Sequence, residues 1–111
     1  MNITFFELEE WEKELIEKSL RNHNVKFFTE RLNESHLKDI KDTEVLGVFI
    51  YSKITKEIID RLPKLKLIVT LSTGFDHIDI KYCKQKKIAV YNVPNYGENT
   101  VAEHTFALIL A

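Results

Sequence analysis

Residues 45–51 read VLGVFIY. A strand with one wet face alternates apolar and polar residues, and a surface helix repeats its apolar positions every three or four. This run does neither. It is apolar throughout and rich in β-branched and aromatic types, so it reads as a strand covered on both faces. That is the state of an interior strand in a parallel sheet.

The flanking sequence has the same character. Leu67 to Leu71, LIVTL, is a second run of this kind. Between the two, Thr55 is placed to cap a helix whose Ile58, Ile59 and Leu62 face inward, and Pro63 stops it. Upstream, Asn2 to Phe6 reads as a strand and Glu7 to Asn22 as a helix, with Leu8, Trp11, Leu15 and Ile16 on one face. Val25 to Phe28 is a further strand, and Asn33 or Ser35 caps a short helix reaching Ile40. Downstream, Ser72 to His77 is a loop, and Asp76 is placed to cap a helix over Ile78 to Lys86. A strand follows at Ile88 to Tyr91, and a last helix begins near Glu98. Strands and helices thus alternate, with short connections and no internal linker. The pattern predicts an α/β fold, a parallel sheet with helices on both faces.

Composition narrows the class. Of 111 residues 44% are hydrophobic and 30% charged, which suits a packed domain and not a disordered chain. Sixteen basic residues against seventeen acidic ones, a net charge of −1, argue against nucleic acid or an anionic membrane as the partner. Cys83 is the single cysteine, so no internal disulfide forms. The N-terminus lacks the basic and apolar regions of a secretory signal, and Phe106 to Ala111 is too short to span a bilayer. The expectation is a soluble cytoplasmic protein.

In open parallel sheets, ligands bind outside the carboxyl ends of the strands. Three loops there carry polar groups: Tyr51-Ser52-Lys53, Ser72-Thr73-Gly74-Phe75-Asp76, and Asn92 to Thr100, NVPNYGENT. The N–H groups of Thr73 and Gly74 can converge on a carboxylate, and Tyr51 and Tyr96 can each offer it a phenol. The plainer readings stand beside these: Gly74 in a tight turn, Tyr51 as a strand-end residue with a wet hydroxyl, Lys53 as a solvated charge. Glu103 and His104 look like an acid–base pair, but helix neighbours point about 100° apart. No G-x-G-x-x-G and no G-x-x-x-x-G-K-[ST] occurs, so no phosphate-cradling loop is recognisable. A phosphoacceptor domain of similar order needs an Asp at the end of the third strand, where this chain has Ile50-Tyr51-Ser52.

Leu62 to Ala111, with LKLI, STGFDHIDI, KIAVYNVPNYG and NTVAEHTFALIL in that order, resembles the D-isomer-specific 2-hydroxyacid dehydrogenases, most nearly the D-lactate dehydrogenase branch. VFIYSKIT also fits. The resemblance implies a flavodoxin-like substrate domain over residues 1–97. Residues 98–111 would begin an interdomain helix, cut before a Rossmann domain that binds NAD. By the same resemblance, Tyr51, Thr73, Gly74 and Tyr96 contact a small 2-keto or 2-hydroxy acid, and Thr100 lies near the nicotinamide end of the cleft. The catalytic histidine, its glutamate and the substrate-gripping arginine would lie beyond position 111. The apolar face of the last helix, TFALILA, invites association, so a homodimer is expected. Many relatives have Arg where this chain has Leu71.

The last helix reaches Ala111 with no closing signal. That fits the front part of a longer enzyme, inactive on its own. The alternative is a stand-alone flavodoxin-like module that binds a small carboxylate or a protein.

Overall fold

The computed structural model describes residues 1–72 and 74–92. Five parallel strands form one sheet: β1 (Asn2–Phe5), β2 (Asn24–Phe27), β3 (Val45–Val48), β4 (Leu67–Thr70) and β5 (Ala89–Asn92), in the order β2-β1-β3-β4-β5. Helix α1 (Glu10–Ser19) joins β1 to β2. A single 3₁₀ turn (Glu34–His36) lies between β2 and β3, α2 (Lys56–Asp60) follows β3, and α3 (Ile80–Gln85) follows β4. The expected parallel α/β sheet is present, in the flavodoxin-like strand order.

Two cores sandwich the sheet. On one face Ile3, Phe5, Val45 and Val69 pack with Leu8, Ile16 and Leu20 from the region of α1. On the other, Leu46, Val48 and Ile68 pack with Leu37, Ile54, Ile58, Leu62 and Cys83. All of β3 is buried, as its sequence requires. Each fully buried aliphatic side chain there contributes roughly 1.5–3 kcal/mol. Thr55 caps α2 by accepting from the Ile58 N–H, as expected.

Gly47 has a packing reason. It pairs with Phe5 across β1 and β3. A Cβ at Gly47 would lie 2.3 Å from Phe5 Cδ1, inside the ring's own volume. The Phe5 ring is in turn stacked on Phe27, with centroids 5.7 Å apart. Only a residue without a side chain leaves room for the Phe5 ring at this position.

Several boundaries differ from expectation. β3 stops at Val48 because the N–H groups of Phe49, Tyr51 and Ser52 turn to the side chain of Glu7 instead of a neighbouring strand. Helix α1 starts at Glu10 and not at Glu7, since Glu7 has a φ of 64°, outside helical space. Trp11 is 45% exposed and not on the buried face; its indole N–H donates to Glu9. The side chain of Leu15 lies outside the described residues. The cap of α3 is Asp79, whose Oδ1 accepts from the Tyr82 N–H at 3.0 Å; Asp76 does not cap it. The helix expected from Glu98 also lies outside the described residues.

Gly47→Ala is expected to destabilise the fold by about 1–3 kcal/mol, the usual cost of overpacking a core. Gly74→Ala serves as the control. No described atom lies within 4 Å of its added Cβ, and its φ is outside the left-handed region. Its cost should stay within about 0.5 kcal/mol. Urea denaturation of both variants measures the difference.

Candidate functional site

The chain runs from β1 outward to β2, then crosses back to set β3 on the other side of β1. That reversal is a topological switch point, and the crevice at its carboxyl end is where such sheets place ligands. The segments meeting there are Phe6 to Glu9 after β1, Phe49 to Lys53 after β3, and Leu71 to His77 after β4.

The β4 segment is built on a relay of hydroxyls. Ser72 Oγ donates to the Gly74 carbonyl at 2.8 Å. A serine has one proton to give. Thr70 Oγ1, 2.8 Å from Ser72 Oγ, must therefore be the donor in that pair. The Thr70 oxygen is then left to accept, and His77 Nε2, at 2.7 Å, supplies the proton. The chain of donors runs from His77 through Thr70 and Ser72 to the Gly74 carbonyl, and defines the Nε2-protonated tautomer. Thr70 and Ser72 are buried, so the bond between their hydroxyls forms out of reach of water, where an unmade one is costly. His77 is tied down from behind. Its carbonyl accepts from the Ile54 N–H at 2.8 Å, and the Ile54 carbonyl accepts from the Asp79 N–H at 3.0 Å.

The β3 segment is held by Glu7. Oε2 accepts from the N–H of Phe49 at 2.9 Å, the N–H of Ser52 at 3.1 Å and the Ser52 hydroxyl at 2.6 Å. Oε1 accepts from the N–H of Tyr51 at 3.0 Å. Ser52 Oγ also accepts from the Leu32 N–H at 3.0 Å, which brings in the segment after β2. The left-handed backbone at Glu7 costs on the order of 1–3 kcal/mol. Charge-assisted hydrogen bonds of about 1.5–3 kcal/mol each are enough to hold it there.

Two of the hollows on this edge bear on the candidate residues. One, of about 460 Å³, is lined by Phe49, Ile50, Leu71, Ser72, Gly74, Asp76 and His77. The other, of about 600 Å³, lies over Glu7, Glu9, Thr29, Arg31 and Tyr51. Tyr51 and Gly74 therefore sit on adjacent segments but face different hollows, with Phe49 and Ile50 between them. Tyr51 is 66% exposed. Leu71, noted above for standing in place of an arginine, is buried in the apolar core and lines the smaller hollow. Thr73, Tyr96 and Thr100 lie outside the described residues, as do Glu103 and His104.

Glu7, Thr70 and His77 were not singled out from the sequence. A glutamate between a strand and a helix looks like any first-turn acid, and its φ is invisible in one dimension. His77 lies within STGFDHIDI, but nothing in that string pairs it with a threonine seven residues earlier. Among the described residues no group of His, Cys, Asp and Glu is placed to hold a metal ion. None of the described helices is long and apolar enough to cross a membrane.

Burial lowers the pKa of His77 from its ordinary 6.5, against the opposing charges of Glu7 and Asp76. A histidine held neutral by the fold contributes stability that is complete above its unfolded pKa and is lost as pH falls through the lower folded value. Thermal melting should therefore show stability falling as the pH drops below 6.5. His77→Asn should flatten that part of the profile.

Comparison with known proteins follows the same outline. Residues 3–107 match the catalytic domain of the D-isomer specific 2-hydroxyacid dehydrogenases. The crystal structure of D-lactate dehydrogenase from Aquifex aeolicus, complexed with NAD and lactic acid, superimposes with a TM-score of 0.80 at 39% identity, covering 98% of this chain and 33% of that one. The 3-phosphoglycerate dehydrogenase of Entamoeba histolytica, with NAD+ bound, superimposes with a TM-score of 0.78 at 33% identity over 98% of this chain and 38% of that one. Glyoxylate reductase of Pyrococcus furiosus is 30% identical over 106 residues, which is 96% of this chain and 27% of the relative. The chain thus spans about a quarter of the length of the curated relatives it matches. A match that covers nearly every residue, carried on the same fold, makes this chain a member of the D-isomer specific 2-hydroxyacid dehydrogenase family.

Proposed function

We propose that this chain is the N-terminal, substrate-side portion of an oxidoreductase that interconverts a 2-keto acid and a D-2-hydroxy acid with NAD as the redox partner. Pyruvate and D-lactate are the first pair to test. The observation that carries the reading is the crevice at the switch point. It has a hydroxyl-braced Gly74 segment on one side and a carboxylate-braced Tyr51 segment on the other. The likeness to the Aquifex aeolicus enzyme, solved with lactic acid, supports the choice of substrate. The names of the glyoxylate and 3-phosphoglycerate relatives keep other acids in the assay.

In this reading the substrate carboxylate meets the N–H groups of Thr73 and Gly74. Tyr51, which lines the neighbouring hollow, would reach the acid past Phe49 and Ile50, and Tyr96 would be the second tyrosine at it. Backbone donors suit this task because they are held in place before the ligand arrives. The relay from His77 engages the Gly74 carbonyl and so stiffens the peptide segment that would carry those donors.

The described residues do not fit a dinucleotide. No glycine-rich turn links a strand to a helix, and Thr100 lies outside the described residues. NAD would be held mainly by a second domain, with residues 1–97 as the substrate domain and 98–111 leading out of it. No step of the chemistry is assigned to groups in this chain. Its role is to bind and orient the acid, and the intact enzyme would act as a soluble cytoplasmic homodimer.

NADH oxidation, followed by absorbance with pyruvate, glyoxylate and hydroxypyruvate, tests the proposal. The complete product of the native gene should turn over at least one of them, and the 111-residue chain alone should stay at the blank. Turnover by the chain alone would overturn the divided-site reading. In the complete enzyme, Tyr51→Phe should raise KM roughly two- to tenfold with kcat nearly unchanged, the signature of one lost binding hydrogen bond. An unchanged KM would remove Tyr51 from the substrate site.

A further inference from the structure

Tyr51 presents a problem of placement. Its side chain is 66% exposed and that of its neighbour Ile50 is 47% exposed, so core packing does not fix either one. An exposed aromatic on a loop samples many positions unless its own backbone is held. Here the backbone is held by one group. The Glu7 carboxylate takes the N–H of Tyr51 on Oε1, and the N–H groups of Phe49 and Ser52 with the Ser52 hydroxyl on Oε2. Its own N–H donates to the Glu30 carbonyl at 3.0 Å, which sets the base of the clamp on the segment after β2.

The arrangement is specific in three ways. The donors come from a segment more than forty residues away in sequence, so it is no local turn. It requires Glu7 to adopt a left-handed backbone that L-residues rarely take. It also interrupts β3, exchanging strand pairing for a loop that carries two exposed apolar side chains at the mouth of the crevice. A glutamate serving only to close β1 against β3 would need none of this, since Phe6 N–H already donates to the Gly47 carbonyl at 2.9 Å.

We infer that Glu7 is a positioning residue of the substrate site: by clamping the peptides around Tyr51 it sets the pose in which that side chain meets the 2-keto acid. The inference rests on the functional reading above. Glu7 does not touch the substrate; it acts through Tyr51.

Glu7→Gln is the direct test. Glutamine keeps the size but has one acceptor oxygen. If that oxygen takes the three-donor position, an amide NH₂ faces the N–H of Tyr51. In the complete gene product, steady-state kinetics with pyruvate should show KM raised about tenfold and kcat within about threefold, since the interaction lost is one of ground-state and transition-state binding alike. Introduced into Tyr51→Ala, the same change should add less than about twofold to KM, because the residue it acts through is gone. Hydrogen exchange should show the amides of Phe49, Tyr51 and Ser52 opening about tenfold faster or more, with β3 and β4 unchanged.

If Glu7→Gln raises KM by the same factor in the wild-type enzyme and in Tyr51→Ala, the inference is overturned. Unchanged exchange at the three amides also overturns it. If wild type reduces no 2-keto acid at all, it is the functional reading that fails, and the substrate role of Glu7 fails with it; turnover with independent effects fails the inference alone. Should Glu7→Gln not fold, Ser52→Ala removes one donor of the clamp, and its coupling to Tyr51→Ala is read in the same way.

Discussion

Burial of β3 on both faces is the constraint from which the architecture follows. Val45, Leu46 and Val48 are at most 1% exposed, so β3 has no face to give to water. A strand of that kind must be interior to its sheet and covered by helices above and below. β1 and β4 flank it, and the two cores close over it. The same crowding explains Gly47. At the centre of the sheet, Phe5 lies where a Cβ would be. The sheet is stabilised by large side chains, and the tightest point in it is kept by the smallest residue.

The functional edge arises from the opposite condition. Where parallel strands end, their last N–H and C=O groups lose the neighbours that satisfied them, and a buried unsatisfied group is costly. The chain meets that need with side chains. Glu7 takes the N–H groups left by β3, and the hydroxyls of Thr70 and Ser72 join His77 to the Gly74 carbonyl after β4. The groups that complete the ends of the sheet are thereby the groups that shape the crevice. In the proposed site, stability and recognition would share the same atoms.

The fold was legible in the sequence to a large degree, and the reasons can be named. VLGVFIY and LIVTL each contain an interior strand, as their apolar composition indicates, and Thr55 caps α2 through a local hydrogen bond that its position encodes. The errors lie where distant atoms intervene. β3 ends early because its next N–H groups turn to the Glu7 carboxylate, and α1 starts late because the backbone at Glu7 is left-handed. Trp11 fits the period of a buried face yet lies exposed, with its indole N–H donating to Glu9. Asp79 caps α3 in place of Asp76 because the Ile54–Ile78 bridge shifts the helix start.

By itself the sequence determined the class of fold and the strands, because hydrophobic periodicity and chain connectivity are local and one-dimensional. The likeness of residues 62–111 to a known family was also readable there, since motif and spacing are properties of the string. Only the tertiary structure decided how Tyr51 is held, which hydroxyl gives its proton to which acceptor, and that Tyr51 and Gly74 open onto separate hollows. The hold on Tyr51 depends on contacts between residues 42 to 45 positions apart and on a backbone angle at Glu7, and neither leaves a trace in residue order.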